Sequence, residues 1–229
     1  MESITSTLAL IRLLTIMPED SVKVIRIANS SLRDSVTTIR NDNLFWLSKL
    51  EYDYGLVIAI DKYKEDWRAI YKELTHCGVI ALLGSPNPNL VAIAIDSGYD
   101  PSMDSNWPIR LTSEKGYFLS VNRLLEDPRV DPSSHDNHAL VQACINDHYE
   151  VVVRLLDDPR VDPSARDNAP IQMSSSLGYL AIVDRLLQDR RVDPSALDNC
   201  AVYYAYSNEY IDVVNRLLQD PRVTPPILT

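Results

Sequence analysis

A phrase of eight residues recurs four times in this chain at an unvarying interval of 31 residues. It has the form Arg-Leu-Leu-x-Asp-x-Arg-Val and begins at Arg123, Arg154, Arg185 and Arg216. A unit of this size cannot bury its apolar face alone, so neighbouring units have to stack on one another. The stacked units offer a long solvent-facing surface, and the usual work of such a surface is binding. We therefore expect recognition rather than catalysis.

The same interval governs other positions of the chain. Asparagine recurs at Asn106, Asn137, Asn168 and Asn199, and the tripeptide Asp-Pro-Ser begins at Asp100, Asp131, Asp162 and Asp193. One more step backwards places a degenerate unit from Thr75 onwards. We predict a separate domain over residues 1–74 and five repeats over 75–229. Their bounds are 75–105 (degenerate), 106–136, 137–167, 168–198 and 199–229, the last acting as a C-terminal cap.

Apolar spacing assigns two helices to each unit. Val151, Val152, Leu155 and Leu156 follow the i, i+1, i+4, i+5 spacing of one helical stripe. An Asp-Pro pair follows and ends this helix, because proline disfavours the α region in the residue before it. A shorter helix precedes it and opens at the equivalent positions Trp107, His138, Ala169 and Cys200. We predict an all-α fold: a helical N-terminal domain followed by an α-solenoid of helix-turn-helix repeats.

These units resemble the ankyrin repeat, a family whose motif reads Thr-Pro-Leu-His-x-Ala, then Gly-His, then Val-Val-x-Leu-Leu, in about 33 residues. The matching residues are Ala169-Pro170-Ile171, Gly178-Tyr179 and Ile182-Val183-Asp184-Arg185-Leu186-Leu187. The loop Asp-Pro-Arg-Val-Asp-Pro-Ser also resembles the repeat arrays encoded by large DNA viruses of amoebae. The resemblance implies a stack of helical hairpins that binds proteins, in the cytoplasm of a host cell if the chain is viral.

Binding specificity is expected where units differ while the scaffold stays fixed. By carry-over from ankyrin surfaces, these positions are the loop tips and the exposed ends of the short helices. The predicted partner-binding residues are Asp104, Ser105, Glu114, Lys115, Ser134, His135, Ile145, Asn146, Ala165, Arg166, Ser176, Leu177, Leu197, Tyr204, Ser207 and Asn208. Tyr203, Tyr204 and Tyr206 form either a contact surface or the polar cap of the last unit, and the sequence leaves both open.

The first 74 residues lack the 31-residue period and have helical apolar spacing. Met17-Pro18-Glu19-Asp20, the segment 27–33 and Leu44-Phe45-Trp46 resemble the F-box, a three-helix motif that docks on the Skp-family adaptor of cullin ubiquitin ligases. The resemblance implies that adaptor as a partner. It also implies the adaptor-binding residues Leu8, Ile11, Leu14, Pro18, Val24 and Ile27. The alternative is a helical domain that only caps the array.

Together the two resemblances imply a substrate receptor that makes and breaks no bond itself. The repeats would hold a target protein, and the N-terminal helices would hold the ligase. The alternative function is a scaffold or decoy that binds a partner and blocks it.

The charge and the cysteine content of the chain indicate which classes of partner and which cellular location to expect. The net charge is −10, and residues 75–229 hold 12 of the 22 Lys and Arg but 21 of the 32 Asp and Glu. An acidic array argues against nucleic acid, which attracts proteins through lysine and arginine. No apolar stretch reaches the roughly 18 residues of a membrane span, and the N-terminus does not resemble a signal peptide. Three widely spaced cysteines favour a reduced intracellular, cytoplasmic protein.

No group of residues in the sequence predicts catalysis, a metal site or a cofactor. His135 and His138 lack further ligands at metal spacing, so we interpret them as exposed surface histidines. Cys144 and His148 could imitate a thiol and base, but the equivalents Ser113, Ser175 and Tyr206 favour a packing residue at position 144. Arg129 and its equivalents in the other repeats each follow an aspartate, Asp127 or its equivalent, by two residues. This arrangement favours arginine–aspartate pairs within the fold over a row of arginines that binds anions.

Overall fold

Both predicted helices of each repeat from residue 106 onwards are present in the structure, a computed structural model that describes residues 79–225. This range holds a 3₁₀ helix at Val79–Gly84 and nine α-helices, and it holds no strand. The α-helices are α1 (Pro88–Asp96), α2 (Met103–Glu114), α3 (Phe118–Leu125), α4 (Ser134–Ile145), α5 (Tyr149–Leu156), α6 (Ala165–Ser176), α7 (Leu180–Leu187), α8 (Ala196–Ser207) and α9 (Ile211–Leu217). The prediction of an all-α repeat fold is confirmed over these residues.

The described residues divide between two compact units. Residues 79–83 and 92–99 belong to one unit, and residues 84–91 and 100–225 belong to the other. The predicted F-box-like domain, with all six of its adaptor-binding residues, lies outside the described residues. Its existence and the predicted boundary at residue 75 therefore stay predictions.

The second unit is a stack of two helical rows. The first helices of the repeats, which we call inner, are α2, α4, α6 and α8, and each packs on the next. They span 12 residues each against 7 or 8 for the second helices, so the prediction that they are the shorter ones is wrong. The outer helices α3, α5, α7 and α9 form the second row, and each packs on its neighbours. An inner and an outer helix joined by a tight turn make one repeat, so the core lies between the two rows.

The predicted apolar stripe of the outer helices lies in this core. Val151, Val152, Leu155 and Leu156 are all buried, and Leu155 is fully inaccessible. Position 156 has equivalents whose exposure rises along the array: Leu125 is buried, Leu187 is half-buried and Leu218 is exposed. The two leucines of each outer helix thus pack against the following repeat. In the last described repeat the second of them, Leu218, is exposed.

Inner helices contribute one fully buried aliphatic residue each, and small residues beside it. The aliphatic residues are Ile109, Leu140, Ile171 and Val202. Where the ankyrin motif has alanine, Thr112 Oγ1 donates to the Pro108 carbonyl and Ser174 Oγ to the Pro170 carbonyl, both at 2.8 Å. These hydroxyls are satisfied within their own helix, so the stack accommodates them.

Candidate functional site

The tip of each repeat is three consecutive residues with a left-handed backbone. Asp104, Ser105 and Asn106 have φ of +48°, +53° and +61°, and the right-handed helix starts only after them, at Trp107. The same conformation recurs in the next three repeats at residues 135–137, 166–168 and 197–199. The predicted starts of the inner helices are therefore confirmed. The left-handed tips were not predicted, and only glycine, asparagine and aspartate adopt such φ values at low cost.

The asparagine that ends each tip ties it to the loop at the end of the same repeat. Asn106 Oδ1 accepts the backbone N–H of Asp131 at 2.7 Å, and the equivalent bonds in the next two repeats measure 2.8 and 2.7 Å. Asn199 makes the same bond to Thr224 at 2.9 Å. This recurring bond fixes the left-handed tip, while the two residues before the asparagine project into solvent.

The loop that receives this bond is itself held rigid. Asp131 Oδ1 accepts the backbone N–H of Ser133 at 3.0 Å and its hydroxyl at 2.6 Å. The other Asp-Pro-Ser segments repeat both bonds. An aspartate that bonds the residue two places later forms a local turn. The Asp-Pro-Ser segments thus form a structural framework, and their polar groups are largely occupied by hydrogen bonds within the loop rather than available to a partner.

Loop arginines serve the same framework, which confirms the structural pairing predicted for them. Arg160 binds both carboxylate oxygens of Asp158, through Nε at 2.9 Å and Nη2 at 2.7 Å. Its Nη1 also donates to the carbonyl of Val130 in the preceding repeat at 2.6 Å. Arg129, Arg191 and Arg222 make the same bidentate pairs with Asp127, Asp189 and Asp220. These bonds hold the pKa of the four aspartates below the usual range.

All sixteen predicted partner-binding residues lie exposed or half-buried at the tips or at the ends of the inner helices. Hydrogen bonds link neighbouring members of each group: Ser134 Oγ donates to the Ser105 carbonyl at 2.9 Å, and Asn208 Nδ2 donates to the Ser176 carbonyl at 3.0 Å. The tips thus form one row along the stack, and the helix ends form another. That these residues contact a partner stays a prediction.

The turn between inner and outer helix links each repeat to the one before it. His148 Nε2 lies 2.9 Å from the carbonyl oxygen of Glu114, so this nitrogen carries the proton. The ring rests on Gly116, where a Cβ would lie 2.5 Å from its Nδ1. His148 therefore serves the turn and not as a base for Cys144.

Cys144 is a packing residue. It is fully buried, and burial raises the pKa of its thiol to about 12, so it stays protonated and unreactive. The equivalents Ser113 and Ser175 are fully buried as well. Within residues 79–225 we also find no group of three His, Cys, Asp or Glu side chains that could hold a metal ion.

Tyrosines crowd the last described repeat. Tyr203, Tyr204 and Tyr206 are all exposed, and the rings of the first two meet edge to face with centroids 6.0 Å apart. Tyr206 stands where earlier repeats bury Ser113, Cys144 and Ser175 completely. An open groove of about 580 Å³ runs between Tyr203, Tyr204 and Leu197. Contact surface and cap both fit this arrangement.

Two features of the surface were missed by sequence reasoning. The first is a column at the start of the outer helices, where Phe118, Tyr149 and Ile211 are exposed and Leu180 is half-buried. Phe118 and Tyr149 line a groove of about 240 Å³. A large apolar residue at every 31st position was visible in the sequence, but its exposure was not.

The second missed feature is a group of titratable side chains from three successive inner helices, α2, α4 and α6. His138, predicted to be exposed, is half-buried at the start of its inner helix. Its pKa is lowered, first by burial and then by the charges of Arg110, Arg166 and His135, while Glu114 acts in the opposite direction. These five side chains therefore share one region of the inner-helix surface.

Comparison with known families identifies one of these repeats. The family model of the ankyrin repeat matches residues 135–168, which run from one tip to the next and contain α5. No curated protein matches the chain. No helix within residues 79–225 is long and apolar enough to cross a bilayer. The chain therefore contains an ankyrin repeat, a module that generally binds proteins, and the neighbouring repeats have the same helices and bonds.

Proposed function

We propose that this chain is a non-enzymatic receptor that holds a target protein on the tips and inner-helix ends of its repeats. We propose further that its first 74 residues bind the Skp-family adaptor of a cullin ubiquitin ligase, so that the target is presented for ubiquitination. The repeats support the first part, and the F-box resemblance of residues 17–46 supports the second. An N-terminal F-box followed by a repeat array is a familiar order for substrate receptors.

One observation carries the target-binding part of this proposal: the repeated residues are occupied with one another, and the non-repeated ones face solvent. Asn137, Asp158 and Arg160 each bond to the framework in the same way as their equivalents. His135 and Arg166, which occupy equivalent tip positions, are exposed and differ in chemistry. A fixed scaffold that displays variable side chains is the arrangement by which repeat proteins recognise partners.

Target binding is tested by replacing exposed tip residues without disturbing the framework. His135→Asn keeps a residue that tolerates positive φ, and Asn146→Ser alters an exposed position at the end of α4. We expect the double variant to keep the wild-type melting temperature and to lose proteins that the wild type retains in crosslinking affinity purification. Unchanged capture by the double variant would place the binding site elsewhere.

Adaptor binding is tested separately on the full chain with purified Skp-family adaptor. Leu8→Glu and Ile11→Glu place charges at two predicted contact positions, and Leu119→Glu is the matched control because Leu119 is exposed on α3. We expect the wild type and the control to bind, and the two N-terminal variants to lose binding. A wild-type chain that captures its target but not the adaptor would instead be a scaffold or decoy.

A further inference from the structure

The outer helices begin with a strip of accessible apolar side chains. Each of the four helices has one such residue at its first position, and these residues are Phe118, Tyr149, Leu180 and Ile211. All but Leu180 are exposed. Single apolar residues on a surface are ordinary, whereas a contiguous apolar patch with polar residues around it marks an interaction site. Because neighbouring outer helices pack on one another, the four residues form such a patch, which we call the outer column.

Two members of the outer column form the walls of a groove. Phe118 from α3 and Tyr149 from α5 line this open groove of about 240 Å³. Val153, which lies one helical turn after Tyr149, lines it as well and is half-buried. Ligand pockets for small molecules measure roughly 300 to 1,000 Å³. The groove therefore suits an apolar side chain of a partner protein better than a small molecule.

Exposed carboxylates bracket the outer column in two of the four repeats. In the repeat of α5 they are Asp147 and Glu150, and in the repeat of α9 they are Glu209 and Asp212. Each pair encloses a column residue within four consecutive positions. All four side chains are exposed, and none makes an ion pair with a Lys, Arg or His of the described residues. These carboxylates are available to the cations of a partner.

The cations near the outer column are mostly paired within the chain. Three of the four arginines on the outer helices bind a carboxylate, and the pairs are Arg123 with Glu126, Arg185 with Asp157 and Arg216 with Asp184. Lys115, at the turn before α3, binds Glu114 at 2.8 Å. Arg154 lines the groove and has no carboxylate partner among the described residues. Four unpaired carboxylates thus stand against one unpaired arginine, so the turns and outer helices attract positive charge.

We propose that the outer column is a docking surface for an amphipathic helix of a partner protein, with leucine-like residues on one face and lysine or arginine beside them. The apolar face of that helix covers the column, and its cations meet the four carboxylates. Charge complementarity selects a basic occupant over an acidic one. The exposed rings of Phe118 and Tyr149 also attract cations. Nucleic acid and anionic membranes carry the same sign of charge as this surface and are repelled.

The spacing of the repeats sets the length of the partner helix. Packed helices lie about 8 to 10 Å apart, so the outer column spans about 24 to 30 Å over its three intervals. A helix rises about 1.5 Å per residue, so about 16 to 20 residues cover the column. The two carboxylate pairs lie two intervals apart, about 16 to 20 Å. We therefore expect two groups of basic residues about 11 to 13 positions apart in the partner helix.

The direct test is fluorescence anisotropy with the full chain and a labelled peptide of about 18 residues, with leucines on one helical face and lysines beside them. Two matched probes replace every lysine by glutamate or every leucine by serine. We expect saturable binding of the leucine-lysine peptide and at least about tenfold weaker binding of the two matched peptides.

Variants of the chain locate the bound peptide. Glu150→Gln combined with Asp212→Asn removes two charges with little change of shape and should weaken binding about tenfold. Tyr149→Ser should have a similar effect, because it removes one wall of the groove. Asp167→Asn and Leu197→Ser are the matched controls, since both residues are exposed on tips. Each control should change the affinity less than about twofold.

Three results would overturn the proposal. They are equal binding of the lysine and glutamate peptides, losses in the control variants equal to those in the column variants, and no binding of the leucine-lysine peptide. Melting followed by circular dichroism checks that each variant is folded. The double charge variant keeps the test decisive if Tyr149→Ser is unstable, because its two side chains are exposed.

This inference goes beyond the proposed function, and the two fail separately. The residues of the outer column and its four carboxylates are not among the sixteen predicted for the tips and inner-helix ends. The double variant of His135 and Asn146 should therefore lose its captured proteins and still bind the leucine-lysine peptide. The reverse pattern, lost peptide binding with unchanged capture, is expected of the double variant of Glu150 and Asp212.

Discussion

At the scale of single residues, two neighbouring buried serines of α6 differ in whether their hydroxyl groups are hydrogen-bonded. Ser174 and Ser175 are both fully buried. Ser174 Oγ donates to the Pro170 carbonyl at 2.8 Å, whereas Ser175 Oγ has no hydrogen-bond partner among the described residues. A buried hydroxyl without a partner is costly, because it has given up its bonds to water.

We therefore expect Ser175→Ala to leave the protein as stable as the wild type or to stabilise it by up to about 1 kcal/mol. Ser174→Ala should destabilise it by about 1 kcal/mol, since a satisfied hydrogen bond is lost. Urea unfolding followed by circular dichroism measures both changes. A destabilisation by Ser175→Ala equal to that of Ser174→Ala would mean that the Ser175 hydroxyl does have a partner.

At the scale of elements, the turn between inner and outer helix requires a left-handed residue in every repeat. Gly116 and Gly178 occupy it in two repeats with φ of +71° and +79°, while Asp147 and Glu209 occupy it in the others with +57° and +63°. The two glycines are also covered by an aromatic ring of the next repeat. A Cβ at Gly178 would lie 2.5 Å from Cδ1 of Tyr210.

Substitutions at this turn should therefore change the stability of the protein in opposite directions in neighbouring repeats. Gly178→Ala should destabilise by about 1 to 3 kcal/mol, because it adds left-handed strain and a clash with Tyr210. Glu209→Gly should stabilise by up to about 1 kcal/mol, because the strain removed exceeds the added chain entropy of glycine. Thermal unfolding of both variants tests this, and a neutral Gly178→Ala would mean that the Tyr210 ring moves aside without cost.

The outer helices depend on their buried stripe. Leu155 is fully buried, so Leu155→Ala should leave a cavity and cost about 2 to 5 kcal/mol. Leu119→Ala, at an exposed site of α3, is the control and should change stability by less than about 0.5 kcal/mol. Both are measured by urea unfolding; loss of the cooperative transition in Leu155→Ala would show that the damage spreads to neighbouring repeats. Equal effects of the two substitutions would contradict the assigned packing.

At the scale of the whole molecule, what the sequence predicts well is what repeats. The 31-residue interval and the apolar spacing place both helices of each unit, and the Asp-Pro pairs indicate where three of the outer helices end. The outer helix α7 ends at the equivalent residue, Leu187, although Arg190 replaces the proline. The left-handed tips could not be predicted, because they are held by the hydrogen bond that the Asp131 N–H donates to Asn106 Oδ1, 25 residues away, and by its equivalents. The group of titratable side chains around His138 was missed for the same reason, since stacking brings its members together from the inner helices α2, α4 and α6.

The same stacking makes acid stability a property of the whole array. Asp127, Asp158, Asp189 and Asp220 each have a pKa lowered chiefly by a hydrogen bond from an arginine. A carboxyl group whose pKa is lower in the folded than in the unfolded state stabilises fully above its unfolded value, about 3.9. That contribution is lost as the pH falls through the folded value. We therefore expect the four aspartates to contribute fully and independently of pH at neutral to mildly acidic pH, and stability to fall cooperatively below about pH 4.

Asp158→Asn isolates one of these pairs. It removes the charge that binds Arg160 and should cost about 1 kcal/mol at neutral pH, a modest value because Arg160 is partly exposed and the pair is screened. Below about pH 3 the difference from the wild type should shrink, since the wild-type carboxyl group is then losing its charge as well. Asp157→Asn, at the exposed neighbouring position, should have a smaller effect at neutral pH. Urea unfolding of the wild type, Asp158→Asn and Asp157→Asn at neutral pH and below about pH 3 measures these differences. If Asp158→Asn loses as much stability in acid as at neutral pH, the shape of the side chain rather than its charge holds the loop.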